Sequence, residues 1–115
     1  MKQLFFVGLT MITVTVFSYC SASKKANASM IPTTYEANVA QLVTANCSPC
    51  HITAKGGKKL ALDTYDALKT NIDSVIVRIE KHPGEKGFMP FKKTRLSDST
   101  IAVFKQWKAD GLAVK

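Results

Sequence analysis

Residues 47–51, Cys-Ser-Pro-Cys-His, constrain this chain more than any other stretch. One turn of backbone must accommodate two thiols three residues apart and an imidazole directly after them. A bridge between Cys47 and Cys50 would close almost no loop and add little stability. The remaining cysteine, Cys20, lies upstream in an apolar leader, so no disulfide framework is available to the folded part. The length, 115 residues, suits one domain. Without residues 1–28 only 87 remain, and chains of that size commonly lean on disulfides, metals or cofactors to complete a core.

The N-terminal region reads as an export signal. Lys2 supplies a positive start, and Leu4 to Phe17 form an uncharged, mostly apolar run too short for an ordinary membrane span. Cleavage after Ala22 is expected to leave residues 1–22 as signal, 23–32 as a polar tether and 33–115 as the domain. Two other endings stay open. The Ala26-Asn27-Ala28 site offers cleavage after Ala28, and Cys20 offers a lipidated first residue that would tether the protein to a membrane. Tyr19 is bulky for the lipoprotein route. Either route leads to the periplasm or cell envelope.

Three chemistries compete for Cys47, Cys50 and His51. A structural zinc ion wants four ligands. The exported part offers only these three and His82, and adjacent Cys50 and His51 would strain to reach one tetrahedral ion. A thioredoxin-like redox pair expects a βαβ setting that the sequence does not provide. C-x-x-C-H is the attachment signature of c-type haem. Each thiol adds to one vinyl group on the haem edge, and the following imidazole lies under the iron. Export agrees with this, because bacterial haem c attachment occurs outside the cytoplasm, and one covalent haem c would also fill a small core.

Apolar spacing predicts an all-α domain of three or four helices. Thr33 and Glu36 form a T-x-x-E capping box, and Tyr35, Val39, Leu42 and Val43 recur at helical spacing, predicting a helix over residues 34–45. Residues 52–60, with Gly56-Gly57, read as a loop. Asp63 is expected to cap a short helix ending near Thr70. A second helix, capped by Asp73, carries Ile72, Val75, Ile76 and Ile79, although the Val75-Ile76-Val77 run also suits a strand. Residues 81–95 hold two prolines and two glycines and read as irregular. Ser97 caps the final helix, Leu96 staples onto Ile101, Phe104 and Trp107 supply its apolar bulk, and Gly111 ends it.

From about residue 34 to 112 the chain resembles a small class I mono-haem cytochrome c. The resemblance is carried by C-x-x-C-H after a first helix and by "GFMPFKK" followed by "LSDSTIAVFKQWKADG". It implies helices wrapped around one haem, with His51 as proximal and Met89 as distal iron ligand. It also implies that the first and last helices cross, with Trp107 facing Val39 and Val43. Many members have a proline soon after the histidine, whose carbonyl receives the imidazole N–H. Residues 52–58 contain none, so a carbonyl between Ala54 and Gly57 is expected to serve. Val43 stands where an aromatic residue often sits.

A loop methionine is more often core filler than ligand. Met89, however, is the only methionine beyond the tether, lies 38 residues after His51 and is flanked by Phe88 and Pro90. His82 is the rival distal ligand, with a surface loop position beside Pro83 as its plain alternative. A His/Met set leaves no open iron position, so one-electron transfer rather than enzymatic catalysis is expected. A peroxidase or gas or redox sensor with a labile Met89, and a haem subunit of a larger reductase, are the alternatives. From residue 29 onward 13 Lys and Arg stand against 8 Asp and Glu. Lys55, Lys58, Lys59, Lys92 and Lys93 cluster near the motifs and predict docking of a redox protein with an acidic face. No nucleic-acid recognition motif is present.

Overall fold

The computed structural model describes residues 31–115. The proposed leader, Cys20 and most of the tether lie outside them. The described part is helical, with no strand among the described residues. A π-helical turn, Tyr35–Val39, runs into α1, Ala40–Cys47; a short 3-10 turn, Thr53–Lys55, follows; then come α2, Tyr65–Glu80, and α3, Asp98–Ala109. Among the described residues no helix is long and apolar enough to cross a membrane.

The first helical segment starts one residue later than the T-x-x-E pattern predicts. Thr34, not Thr33, is the cap: it is extended and accepts from the Ala37 N–H. The Thr34 N–H donates to Asn38 Oδ1 at 2.9 Å, so Asn38 takes the return role expected of Glu36. Thr33 instead donates its N–H to Asp110 beyond α3, at 2.7 Å. The C-terminal tail satisfies two of the unpaired donors at this helix start: Tyr35 N–H donates to the Ala113 carbonyl and Glu36 N–H to that of Val114.

The expected pair of central helices is a single helix, α2. Its cap is Thr64, which accepts from the Ala67 N–H. Asp63 is drawn away by the Thr53 N–H, and Asp73 faces Lys108 on α3 at 2.6 Å. Asn71 does not break the helix, because its side chain donates back to the Ala67 carbonyl at 2.8 Å. Leu68, Ile72, Val75 and Ile79 then form one buried stripe with helical spacing. This face overrides the strand preference of Val75-Ile76-Val77, with Val77 turned outward.

The cap, the buried face and the ending expected of α3 hold. Ser97 accepts from the Thr100 N–H, and Ile101, Phe104 and Trp107 are buried. Gly111 at φ +83° allows a Schellman ending, in which Leu112 N–H reaches the Trp107 carbonyl and Gly111 N–H that of Lys108. α3 packs on α2 and on the π-helical turn. Trp107, Val39 and Val43 share one core, with Tyr35, Tyr65 and Trp107 ring centroids 5.6–6.2 Å apart. Trp107 Nε1 donates to the Ala113 carbonyl and the Tyr65 hydroxyl to that of Leu112, each at 2.9 Å, which draws the tail into the core.

This packing ranks two substitutions. Trp107→Ala removes a fully buried indole and its tail bond, and is expected to cost about 3–5 kcal/mol. Thr64→Ala removes only a cap, at about 1 kcal/mol. Denaturant midpoints of the purified variants check the order.

Candidate functional site

Cys47 closes α1, and the His51 N–H continues the helical turn by donating to the Cys47 carbonyl at 3.0 Å. The chain then folds back tightly. Ile52 N–H donates to the Pro49 carbonyl, Gly57 N–H to that of Ile52, Lys59 N–H to that of Cys50, and Leu62 N–H to that of His51. Gly57 makes this return possible. A Cβ there would lie 2.6–2.8 Å from the carbonyl oxygens of Pro49, Cys50 and Ile52, which no real side chain tolerates. Asp63 fixes the outer side of the loop by accepting from the Thr53 N–H at 2.7 Å. That bond, more than any other influence, holds the Asp63 carboxyl below its ordinary range.

The fold-back brings His51 Nδ1 to 2.6 Å from the Leu60 carbonyl. This corrects the expectation of an acceptor between Ala54 and Gly57. Those residues form the 3-10 turn and its close, bonding back to Ile52 and Thr53, and the chain reaches the imidazole only at Leu60. A carbonyl can only accept, so Nδ1 carries the proton, and in the neutral ring the lone pair then lies on Nε2.

Cys47, Cys50, His51 and Met89 all line one cleft of about 500 Å³. Its apolar wall includes Leu62, Val75, Ile79, Leu96 and Phe104, while the exposed side chains of Leu60 and Phe91 also border it. The structure thus gathers every expected site residue, although Met89 comes from the irregular segment after α2. His82 is exposed and does not line the cleft; its N–H pairs with the Glu85 carboxylate in a local turn. The lysines divide. Lys59 and Lys93 line the cleft, Lys55 lies with Lys93 along a shallow groove beside α1, and exposed Lys58 and Lys92 border neither space. Lys93 also reaches across to the Ser48 carbonyl at 3.2 Å.

The site includes polar residues that the sequence reasoning missed. Asn71, Ser74 and Arg78 line the cleft from α2. Their 3- and 4-residue spacing marks one helical face, a signal lost when this region is read as two helices. Burial pushes the Cys47 thiol up to about 11 despite the opposing charge of Lys93. A thiol protonated at neutral pH is unlike the low-pKa cysteines that attack disulfides. Among the described residues no group of three or more His, Cys, Asp or Glu is placed to hold a metal ion by itself. The arrangement can instead grip a cofactor-sized apolar group through two sulfurs while offering an imidazole nitrogen and a thioether as donors. Compared with protein-family models, curated proteins and solved structures, the chain gives no match.

Two outcomes follow. Gly57→Ala must displace the backbone under Cys50 and is expected to cost about 1–3 kcal/mol, the range for overpacking; calorimetry of the purified variant measures it. Asp63 stabilises the fold when ionised, because its carboxyl is more acidic folded than unfolded. That contribution is present above the ordinary carboxylate range, about pH 4, and is lost as pH falls through the lower folded value. Asp63→Asn should therefore lower the melting temperature at pH 7, with the gap to wild type closing towards pH 2–3.

Proposed function

We propose that the protein is a one-electron carrier of the class I cytochrome c type, exported to the cell envelope, holding one haem c. One observation carries this reading: C-x-x-C-H and Met89, distant in sequence, line the same largely apolar cleft. The residues fit the group. The cleft has the size of cofactor sites, about 300–1,000 Å³. His51 is held by Leu60 in the tautomer that leaves Nε2 available, as second-shell bonds to ligating histidines do.

When bound, haem supplies an Fe(III)/Fe(II) couple and little else is required of the protein chemically. Cys47 and Cys50 hold it as thioethers. His51 donates from Nε2, and the Leu60 carbonyl keeps its ring from rotating. Met89 contributes a soft sulfur that favours the reduced ion and raises the potential relative to a second histidine. Leu62, Val75, Ile79 and Phe104 exclude water from the interior. Lys59 and Lys93 border the cleft and Lys55, Lys58 and Lys92 extend the positive surface, which would steer an acidic redox partner.

Met89 provides the test. Ferric wild-type protein should show a weak sulfur-to-iron charge-transfer band in the far red, and Met89→Ala should abolish it, lower the potential and speed cyanide binding. His82→Ala should leave all three nearly unchanged. A wild type that lacks the band and responds strongly to His82→Ala would be a bis-His protein. Rapid cyanide or peroxide reaction of the unmodified protein would favour a sensor or peroxidase instead.

A further inference from the structure

We propose that Arg78 is the residue that positions Met89 in the cleft, acting through the Gly87–Met89 backbone; this rests on Met89 serving as iron ligand. Residues 81–95 have no helix to fix them, so the setting of Met89 depends on individual contacts. The last turn of α2 supplies these contacts, because its carbonyls lack partners within the helix. The Arg78 carbonyl accepts from the Met89 N–H at 3.1 Å. The Arg78 guanidinium turns back over the same strand of loop and donates from Nη1 to the Gly87 carbonyl at 3.4 Å. One residue of a rigid helix therefore holds the backbone on both sides of Phe88, whose ring is buried.

Gly87 is shaped for this contact. Its φ of +85° is one that side chains adopt only with strain, and a Cβ would sit 3.2 Å from Arg78 Nη1. The guanidinium thus occupies space left by the missing side chain. The far end of the loop has its own anchor: Arg95 donates from Nε to the Glu80 carbonyl and pairs with Asp98. Arg95 does not reach the part that carries Met89, so the two arginines divide the loop between them. Lysine at position 78 would keep a charge and a donor but lose the fixed planar geometry that sets Nη1 against the Gly87 carbonyl. Arg78 is exposed, so its replacement opens no core cavity.

The test uses the haem-loaded protein and four variants: Arg78→Leu, Arg78→Lys, Gly87→Ala and the Arg78→Leu/Gly87→Ala double. Readouts are hydrogen exchange at the Met89 amide, the far-red band and the rate of cyanide binding. Arg78→Leu should speed exchange and cyanide binding by roughly three- to tenfold, the scale of one charge-assisted hydrogen bond weakened by exposure. It should also weaken the band while leaving helix content unchanged. Arg78→Lys should fall between it and wild type. Gly87→Ala should act in the same direction, and less strongly when Arg78 is already gone, because no guanidinium remains to be displaced. A wild-type band left intact by Arg78→Leu, with unchanged exchange, would overturn the role of Arg78 alone. Strict additivity of the two substitutions would also overturn it. Absence of the band from wild type would contradict Met89 ligation, and with it the task assigned to Arg78.

Discussion

The bond from His51 Nδ1 to the Leu60 carbonyl organises the site, and much of the surrounding backbone is arranged to make it possible. An imidazole directly after a cysteine has little freedom, so the acceptor must come to it. The chain achieves this by folding residues 52–62 back under the cysteine turn, through five backbone hydrogen bonds to the carbonyls of Pro49, Cys50, His51 and Ile52. Gly57 is the point of closest approach, where three carbonyls leave no space for a side chain. Asp63, the residue before the Thr64 cap of α2, then holds the outside of the loop by accepting from the Thr53 N–H. The His51 side of the cleft is therefore built on hydrogen bonds and close backbone contact more than on apolar burial.

The Met89 side is built differently. Met89 lies in a segment without regular structure, and α2 serves both as apolar wall and as anchor for that segment. Val75 and Ile79 face the cleft, while the carbonyls of Arg78 and Glu80 at the end of the helix accept from Met89 and Arg95. The ion pairs Lys105–Glu80 and Lys108–Asp73 that link α2 and α3 are largely exposed, and contribute little to stability individually. What joins α2, α3 and the first helical segment is the shared core around Leu68, Phe104 and Trp107.

The candidate site was legible in the sequence wherever chemistry fixes the residue type. Cys47, Cys50, His51 and Met89 could be named because few residue types suit the roles proposed for them, and all four line one cleft. The last helix was legible because Ser97, its apolar spacing and Gly111 agree. The centre was misread because Asp63 and Asp73 look like caps in one dimension, whereas tertiary partners, the Thr53 N–H and Lys108, claim both carboxylates. Leu60 was missed as the acceptor because a backbone carbonyl has no sequence signature; its position depends on the loop path. Thr33 lost the first cap to Thr34 because Asp110, 77 residues later, captures its N–H.

Covalent attachment of haem to Cys47 and Cys50 would be read directly from the intact mass of the protein under denaturing conditions. The exported protein, unfolded and extracted with acidic organic solvent, is expected to keep one haem per chain. Cys47→Ser and Cys50→Ser should each prevent normal accumulation of that species. A wild-type chain that carries only its polypeptide mass after export, or that releases its haem to the solvent, would contradict it.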